Sequence, residues 1–227
     1  MHDGALGKLR FPQGLAVSSF TFCYNGKMEL YRIDKKQVDA AARALAEAFF
    51  EDPFVCRISP DPATRLQSVL PVFRFSTGLA ARNGEAWALS PAMEGVALWL
   101  PSWRIGCPPL QWLLMGGLGI RRGLTAEGYR ELSRVSDRID RERDAIAPGR
   151  FLYLSCLGVR REFRRRGLAS ALVEGRVKQA AREGLPTIVE TNTPEALAFY
   201  RAVGFQIMVS FRAAELDYYV LEHPAHT

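Results

Sequence analysis

Histidine is nearly absent from this chain of 227 residues, which contains only three. They are His2, His223 and His226, all close to a terminus. A serine–histidine–aspartate triad needs an imidazole to activate the serine, and many zinc sites use imidazole ligands. The sequence therefore argues against a catalytic triad and a histidine-based metal site in the body of the chain, and we expect no bound metal.

Cysteine is also scarce, and long apolar runs are missing. The four cysteines lack the close spacing of paired metal ligands; they are Cys23, Cys56, Cys107 and Cys156. They indicate free thiols in a reducing compartment rather than a disulfide framework, so we expect a cytoplasmic protein. No run of eighteen apolar residues occurs, so we expect neither a membrane span nor a membrane partner.

The composition is that of a globular protein with an excess of positive charge. A length of 227 residues with 48% hydrophobic residues predicts one domain with a substantial core. The net charge of +6 and the pI near 9.3 favour anionic ligands. Nucleic acid is one such ligand, but the excess charge is modest and arginine is spread along the chain. We therefore expect no nucleic-acid partner.

Residues 151–205 have the clearest pattern in the sequence. An apolar run, residues 151–159, predicts a strand, and a basic loop, residues 160–166, follows it directly. A helix is predicted to begin after Gly167, because apolar residues then recur at helical spacing; they are Leu168, Leu172, Val173, Val177, Ala180 and Ala181. A second predicted strand and a short helix, which begins at Pro194 and stops at Gly204, complete the stretch.

A helix that begins directly after a glycine and a basic loop is suited to bind a bulky anion. Its first N–H groups are unpaired and carry the positive end of the helix dipole. Gly167 has no Cβ, so the backbone can approach a ligand closely. Consecutive amides with arginines around them form an anion-binding concavity that favours a pyrophosphate. A tight strand-to-helix turn is the alternative interpretation of the same residues.

The motifs of this stretch resemble those of the GNAT superfamily of N-acetyltransferases. Arg164, Gly167 and Ala169 are spaced as in the family's acetyl-CoA pyrophosphate loop, Q/R-x-x-G-x-G/A. Leu157–Gly158–Val159 resembles the end of the family's central fourth strand. Asn192 to Phe205 resembles its closing motif, which contains a phenylalanine–tyrosine pair. Two motifs in the family's order, with a strand between them, make the resemblance specific, although they cover about a quarter of the chain.

The resemblance implies an α/β (α+β) fold with a mixed, mostly antiparallel central sheet flanked by helices. A splayed pair of central strands would hold CoA. The elements predicted upstream follow the family's order: a strand (29–33), two helices (34–50 and 61–83) and a hairpin (86–90 and 95–100). The short segments Phe49–Pro53 and Ala97–Pro101, and the order of the elements around them, most resemble the puromycin N-acetyltransferase-like branch. Puromycin itself is not predicted as the substrate.

The domain organisation is predicted from the same pattern. Residues 1–27 form an N-terminal extension, and residues 28–227 form a single acetyltransferase domain. Residues 101–150 are long for a connection between strands and are predicted to be a helical insertion. Within this insertion Gly116–Ile120 indicates a loop or packed bend, and Trp112–Met115 fits either the core or an acceptor pocket. An amphipathic helix is marked by Leu132, Val135, Ile139 and Ile146.

The resemblance also implies which residues hold acetyl-CoA. Backbone groups of the central strand would bind the pantetheine and the acetyl carbonyl, and they belong to Leu157, Gly158 and Val159. A backbone N–H aimed at the developing oxyanion would stabilise it. The pyrophosphate would be held mainly by amides of the loop, formed by Arg164, Arg165, Arg166, Gly167, Leu168, Ala169 and Ser170. Asn192 and Tyr200 of the closing motif complete the cofactor site.

Acetyl transfer needs a neutral amine and a proton for the departing thiolate. By resemblance Tyr200 is the general acid, since its phenol pKa near 10 is not far above that of a thiol; packing against the cofactor is the other interpretation. Glu190 is the best carboxylate for the general base, and a water chain is the alternative. Glu51 and Asp52 are candidate contacts for a cationic acceptor. Cys156 is predicted to be a buried strand cysteine, because no histidine is available to activate it.

The sequence therefore predicts an acetyl-CoA-dependent N-acetyltransferase that acts on a primary amine of a small molecule by direct attack. A non-catalytic acyl-CoA-binding sensor of the same fold is the alternative. A nucleic-acid patch at residues 160–166 is a third interpretation, but Phe163 is the single aromatic residue in that run. The identity of the acceptor is not specified by the sequence, and a homodimer stays open.

Overall fold

The computed structural model describes residues 23–24 and 27–225. The predicted extension, residues 1–27, lies largely outside the described residues, so it stays a prediction. The helices are α1 Val38–Ala48, α2 Pro53–Ile58, α3 Pro62–Asn83, α4 Pro109–Leu114, α5 Gly117–Gly123, α6 Ala126–Ile146, α7 Leu168–Arg182 and α8 Pro194–Ala202. None of these helices combines the length and the apolar character needed to cross a bilayer.

The strands form a mixed, mostly antiparallel sheet. They are β1 Cys23–Tyr24, β2 Lys27–Met28, β3 Tyr31–Arg32, β4 Glu85–Ala88, β5 Gly95–Pro101, β6 Leu152–Val159, β7 Thr187–Thr191, β8 Gln206–Ala213 and β9 Leu216–His223. β1 pairs with β2, and the other seven form one sheet in the order β3-β4-β5-β6-β7-β9-β8. Among the described pairs, β6–β7 is parallel and the rest are antiparallel. The predicted fold class is confirmed.

Strands β6 and β7 separate part of the way along their length. Their described pairing covers Leu152 and Tyr153 of β6, although β6 continues to Val159. Ser155 is an extra residue in the pairing with β5, because Leu98 lies opposite Cys156 and Trp99 lies opposite Leu154. Such a bulge bends its strand and increases the local twist. The predicted splay of the central pair is therefore present, and the bulge lies where it begins.

Helices cover both faces of the sheet. Apolar residues of α1 and α3 pack against one face, where they form one cluster with Val96 and Leu98 of β5. Residues of α7 pack against the other face, where they form one cluster with Ala97 and Trp99 of β5. α1 lies directly on β6, since a Cβ added at Gly158 would come within 2.9 Å of a Leu45 methyl group. This close approach brings the end of α1 next to the divergent half of β6.

α1 and α3 lie within the predicted helices 34–50 and 61–83, but one further helix was not predicted. The Gln37 side chain accepts a hydrogen bond from the Asp34 N–H at 2.8 Å, as in a capping box. Asp61 caps α3 and is followed by Pro62 at its first position. The short helix α2 was missed. Its signal is the same as that of α3, because Asp52 caps it and Pro53 follows.

The segment between β5 and β6 is helical, but two details differ from expectation. The prediction of a loop or bend at Gly116–Ile120 is wrong, since α5 begins at Gly117. Gly116 makes the turn with a φ of 86°, and a Cβ at Gly117 would lie 2.2 Å from the Trp112 ring, so both glycines allow α4 and α5 to pack closely. Leu113 and Leu114 are 47% and 75% exposed, so they are not core residues. The amphipathic helix predicted further along is confirmed by α6.

Candidate active site

A cavity of about 280 Å³ lies where β6 and β7 diverge. β6, β7, α8, α3, α6 and the start of α2 contribute to its lining. The structure brings five predicted site residues to this cavity, and they are Asp52, Leu157, Glu190, Asn192 and Tyr200. Much of the remaining wall is apolar or aromatic, with Phe49, Phe54 and Phe73 among its members. The cavity is suited to a small molecule with an apolar body and a cationic group.

Glu190 is the buried carboxylate of this cavity. The Tyr153 hydroxyl donates a hydrogen bond to its Oε1, and Oε2 is buried without a hydrogen-bond partner among the described residues. Burial raises the pKa of Glu190 to about 7, while the Tyr153 hydrogen bond and the positive charge of Arg143 act to lower it. A carboxylate with a pKa near neutrality can accept a proton efficiently. This position fits the predicted general base.

Arg143 and Tyr153 were not predicted as site residues. Arg143 lies on α6 with its side chain 5% exposed, and its guanidinium is 4.9 Å from the centre of the Tyr153 ring. Asp140 forms an ion pair with Arg143 at 2.8 Å, and Asp144 forms one at 3.3 Å. An arginine in a charge-rich amphipathic helix has no sequence signal that separates it from solvated neighbours, and Tyr153 in an apolar strand resembles any core aromatic.

The two candidate acceptor contacts have different environments. Asp52 lines the cavity, and its Oδ1 accepts hydrogen bonds from the N–H groups of Phe54 and Val55 at 2.9 and 3.1 Å. Burial raises the pKa of Asp52 in spite of these hydrogen bonds. Glu51 is exposed and forms an ion pair with Arg161 at 2.9 Å, outside the set of residues that lines the cavity. Asp52 is therefore the better placed of the two, and both roles stay predictions.

Tyr200, on α8, is buried and also lines the cavity. Its ring makes edge contacts with Phe199 and Phe205, at centroid distances of 5.2 and 5.5 Å. Burial raises the pKa of Tyr200, and the neighbouring Cys156 acts in the same direction. The phenol therefore keeps its proton at neutral pH. Burial likewise raises the pKa of the Cys156 thiol, which disfavours the thiolate needed for nucleophilic attack and agrees with the predicted inert role.

Tyr218 is a further polar residue of the cavity that the sequence did not indicate. It lies on β9, and its hydroxyl is buried near the Asn192 side chain. Burial raises its pKa, the negative charge of Asp52 adds to this effect, and the Asn192 side chain acts to lower the pKa. A neutral hydroxyl beside Asp52 can donate a hydrogen bond to a ligand or to that carboxylate.

The arginines of the loop before α7 mainly hold its shape. Arg164 donates from Nη2 to the carbonyl of Ala48 at 2.5 Å and from Nε to the carbonyl of Val159 at 3.1 Å. It thereby ties the loop to the end of α1 and to the end of β6. Arg166 donates to the carbonyl of Glu162 at 3.0 Å. The sequence led us to expect loop amides as the main ligands of the pyrophosphate, with the arginines adding charge. In the structure the Arg164 and Arg166 side chains contact backbone carbonyls and contribute their positive charge to the loop.

The backbone of this loop fits a pyrophosphate. Arg165 and Gly167 have φ values of 60° and 74°, which turn the chain sharply before α7. Within the described chain no side chain caps the first turn of α7, which contains Leu168, Ala169 and Ser170. A Cβ at Gly167 would meet no described atom within 4 Å, so the space in front of the helix is open. Uncapped amides that face open space at a helix N-terminus are suited to bind an anion.

A larger open groove of about 1300 Å³ adjoins the cavity. The groove and the cavity share four lining residues of α3 and α6, which are Val72, Ser76, Leu132 and Ser136. Trp103 and Trp112 contribute aromatic surface to the groove, and Asp137 and Asp140 contribute carboxylates. The described residues contain no group of three or more histidine, cysteine, aspartate or glutamate side chains that could hold a metal ion.

The raised pKa of Glu190 makes the stability of the protein depend on pH. Its pKa is about 7 when folded and near 4.5 ordinarily, so between these values the folded state binds more protons than the unfolded state. The free energy of unfolding is therefore expected to fall as the pH rises from about 4.5 to 7, by on the order of 3 kcal/mol from this group. Urea unfolding at several pH values measures this slope. Glu190→Gln should flatten it, and an unchanged slope in this variant would contradict the raised pKa.

Comparisons with known proteins agree with this geometry. Residues 128–205, which include most of α6 and the whole stretch from β6 to α8, match the model of the acetyltransferase (GNAT) family. A structure of "histone acetyltransferase HPA2 and related acetyltransferase" from Corynebacterium glutamicum is 17% identical, with 87% of this chain and 96% of that chain covered and a TM-score of 0.60.

Two insect structures are similar to a comparable extent. A putative arylalkylamine N-acetyltransferase 7 from the yellow fever mosquito is 13% identical, with 87% of each chain covered and a TM-score of 0.59. A polyamine N-acetyltransferase from Drosophila melanogaster is 10% identical, with 86% of this chain and 99% of that chain covered and a TM-score of 0.57. At these identities the likeness establishes the shared fold. The closer likeness to the puromycin branch stays a prediction.

Proposed function

We propose that the chain, whose residues 128–205 match the GNAT acetyltransferase family, transfers the acetyl group of acetyl-CoA to a primary amine of a small molecule by direct attack. The observation that carries the proposal is the cavity between β6 and β7, where Glu190 and Tyr200 line the same small space. Glu190 is a carboxylate with a pKa near neutrality, and Tyr200 is a phenol that keeps its proton.

The cofactor would be held by backbone groups of the divergent strand and of the loop. Beyond Tyr153, β6 has no described pairing with β7, so backbone groups on this side of its divergent half are available to the pantetheine arm, apart from the Val159 carbonyl, which accepts from Arg164. Gly167 and the first turn of α7 would hold the pyrophosphate through their amides. The role of Arg164 would be to fix the loop against α1 and β6. Bound acetyl-CoA supplies the acetyl thioester.

Glu190 and Tyr200 would handle the two protons of the reaction. An alkylammonium with a pKa near 10 must lose a proton before its nitrogen can attack. Glu190 Oε2, which accepts no hydrogen bond from a described residue, would receive it. Tyr200 would donate its phenolic proton to the departing thiolate. Because burial holds Tyr200 in its protonated form, the donor is present at the pH at which Glu190 is ionised.

The acceptor would be a small amine with an apolar or aromatic body. Asp52 and Glu190 provide negative charge in the cavity, and phenylalanine side chains provide its apolar walls. The names of two similar structures, an arylalkylamine and a polyamine N-acetyltransferase, support an amine acceptor. The adjoining groove would offer a path for the amine. We propose that the protein works in the cytoplasm, in keeping with the free thiols of Cys56, Cys107 and Cys156.

The test is calorimetric titration with acetyl-CoA, followed by a thiol-release assay over a panel of arylalkylamines, polyamines and amino sugars. We expect one acetyl-CoA to bind per chain and thiol release to depend on the added amine. Binding without release from any amine would favour a non-catalytic acyl-CoA sensor. A lack of acetyl-CoA binding would contradict the proposed cofactor site.

Tyr200→Phe is expected to lower turnover and to leave acetyl-CoA affinity nearly unchanged. The substitution removes the proton donor but keeps the ring that contacts Phe199 and Phe205. Loss of a positioned general acid reduces the rate by about 10²- to 10⁴-fold. Thiol release at saturating acetyl-CoA measures the effect. Tyr219→Phe is the matched control, since Tyr219 does not line the cavity. Equal turnover in the two variants would remove the acid role from Tyr200.

A further inference from the structure

We propose that Arg143 and Tyr153 are positioning residues for Glu190, and that they hold its carboxylate so that Oε2 faces the acceptor amine. This inference rests on the proposed function, because it gives Glu190 the role of general base. It extends the active site into α6. The sequence predicts this helix only as an amphipathic helix within the insertion of residues 101–150.

The contacts form a chain from α6 to the cavity. Asp140 and Asp144 hold the Arg143 guanidinium by ion pairs at 2.8 and 3.3 Å. That guanidinium lies over the face of the Tyr153 ring, and the Tyr153 hydroxyl donates to Glu190 Oε1. Oε1 thus accepts the Tyr153 hydrogen bond, whereas Oε2 accepts none from a described residue. The chain thus fixes which carboxylate oxygen is available for a proton.

A purely structural buried arginine has a different set of partners in this protein. Arg65 is buried to a similar degree, and its guanidinium donates to the backbone carbonyls of Ser59, Pro60 and Phe50 at 2.7, 2.6 and 3.2 Å. Arg143 Nε, by contrast, has no hydrogen-bond acceptor in the described part of the chain. Both guanidinium groups lie over an aromatic ring, Phe50 for Arg65 and Tyr153 for Arg143, but only the Tyr153 ring carries a hydroxyl that is hydrogen-bonded to an ionisable carboxylate.

Glu190, on which the charge of Arg143 acts, has several titratable neighbours. Groups that influence Glu190, or that Glu190 influences, come from α6, β6, α8 and β9, and they are Asp140, Arg143, Tyr153, Cys156, Tyr200 and Tyr218. The Tyr153 hydrogen bond and the Arg143 charge both favour the ionised carboxylate, whereas Asp140 opposes it. Burial holds Cys156, Tyr200 and Tyr218 in their neutral forms. Arg143 is therefore the cation among these groups that supports ionisation.

The test compares pH profiles of kcat/KM for the wild-type protein, Tyr153→Phe and Arg143→Met. Each substitution removes an interaction that favours ionised Glu190, so the acidic limb should move to higher pH. A hydrogen bond to a charged group corresponds to a shift of about one pH unit, and kcat/KM below the limb should fall roughly tenfold. Above the limb the variants should approach the wild-type rate. Arg143→Lys keeps the charge and should restore much of the wild-type profile.

Arg138→Met is the matched control. Arg138 is on the same helix, its guanidinium lies 5.0 Å from the Phe211 ring centre, and it forms an ion pair with Glu142. Arg138→Met therefore removes the same kinds of contact as Arg143→Met, but these contacts do not involve Tyr153. Its acidic limb should stay in place. If Arg143→Met fails to fold by circular dichroism, Tyr153→Phe, which removes a single oxygen, decides the result. An unmoved acidic limb in Tyr153→Phe would overturn the proposal.

A direct titration of Glu190 separates this proposal from the proposed function. Carbon-13 NMR of the glutamate side-chain carboxyl groups follows Glu190 without any catalysis, with Glu190→Gln used to assign its signal. A higher midpoint in Tyr153→Phe and Arg143→Met supports the positioning role even if no tested amine is acetylated, in which case the proposed function alone fails. An unchanged midpoint overturns the positioning role whatever the activity.

Discussion

Gly167→Glu is expected to abolish measurable acetyl-CoA binding while the protein stays folded. Gly167 is the residue before α7, and its φ of 74° places the chain in the left-handed region. The new carboxylate would lie in front of the first helical amides, in the space proposed for the pyrophosphate. It would repel the phosphate charges and compete with them for the same N–H donors.

The size of the effect follows from the charge. Two like charges 4 Å apart repel by about 1 kcal/mol in water and about 4 kcal/mol near a protein surface. The affinity should therefore fall between about fivefold and a thousandfold for each phosphate charge. A side chain at this φ adds about 1 to 2 kcal/mol of backbone strain, which affects folding rather than the ligand directly. Isothermal titration calorimetry with acetyl-CoA measures the loss.

Gly184→Glu is the matched control for this prediction. Gly184 lies just past the other end of the same helix, with a φ of 72° and no described atom within 4 Å of a built Cβ. It therefore receives the same charge and the same backbone strain, but far from the proposed phosphate site. It should bind acetyl-CoA like the wild-type protein. Equal affinities in the two variants would contradict the assignment of the loop.

The sequence predicted most of the backbone of this site because local signals specify it. Gly167 and the apolar periodicity after it define the start of α7, and Thr193 with Pro194 defines the start of α8. Such signals act between neighbours in the chain, through capping, φ preferences and the apolar face of a helix. The fold class followed from the resemblance to the GNAT family that the motifs of this stretch carry.

The residues that tune the carboxylate could not be predicted in the same way. Tyr153 meets Glu190 across the β6–β7 pair, and Arg143 reaches both from a helix that has other exposed arginines on its surface. The bulge at Ser155 is likewise a property of how β5 and β6 pair. These contacts depend on packing between segments that are distant in the chain. No periodicity or spacing in a single sequence encodes such contacts.

Glu190→Gln is expected to lower kcat/KM at neutral pH by about 10²- to 10⁴-fold, the contribution of a positioned general base. The substitution keeps the shape of the side chain, and the amide oxygen can still accept the Tyr153 hydrogen bond. What it removes is the basic oxygen that would take the proton from the ammonium. The acidic limb near pH 7 should disappear, because the group responsible for it no longer titrates. Acetyl-CoA affinity should change little, since the proposed role of Glu190 is to deprotonate the acceptor rather than to hold the cofactor.

The pH profile distinguishes a loss of the base from a loss of structure. Glu195→Gln, in the exposed first turn of α8, makes the same chemical change at a carboxylate outside the cavity and should keep the wild-type profile. If Glu190→Gln kept both its rate and its acidic limb, the proton would have to leave by a water chain or through Asp52, the other carboxylate of the cavity. Asp52→Asn would separate those two routes. Its acidic limb should disappear if Asp52 takes the proton and should remain if a water chain does. A large loss of kcat/KM confined to Glu190→Gln would identify Glu190 as the group that must be ionised for the reaction to proceed.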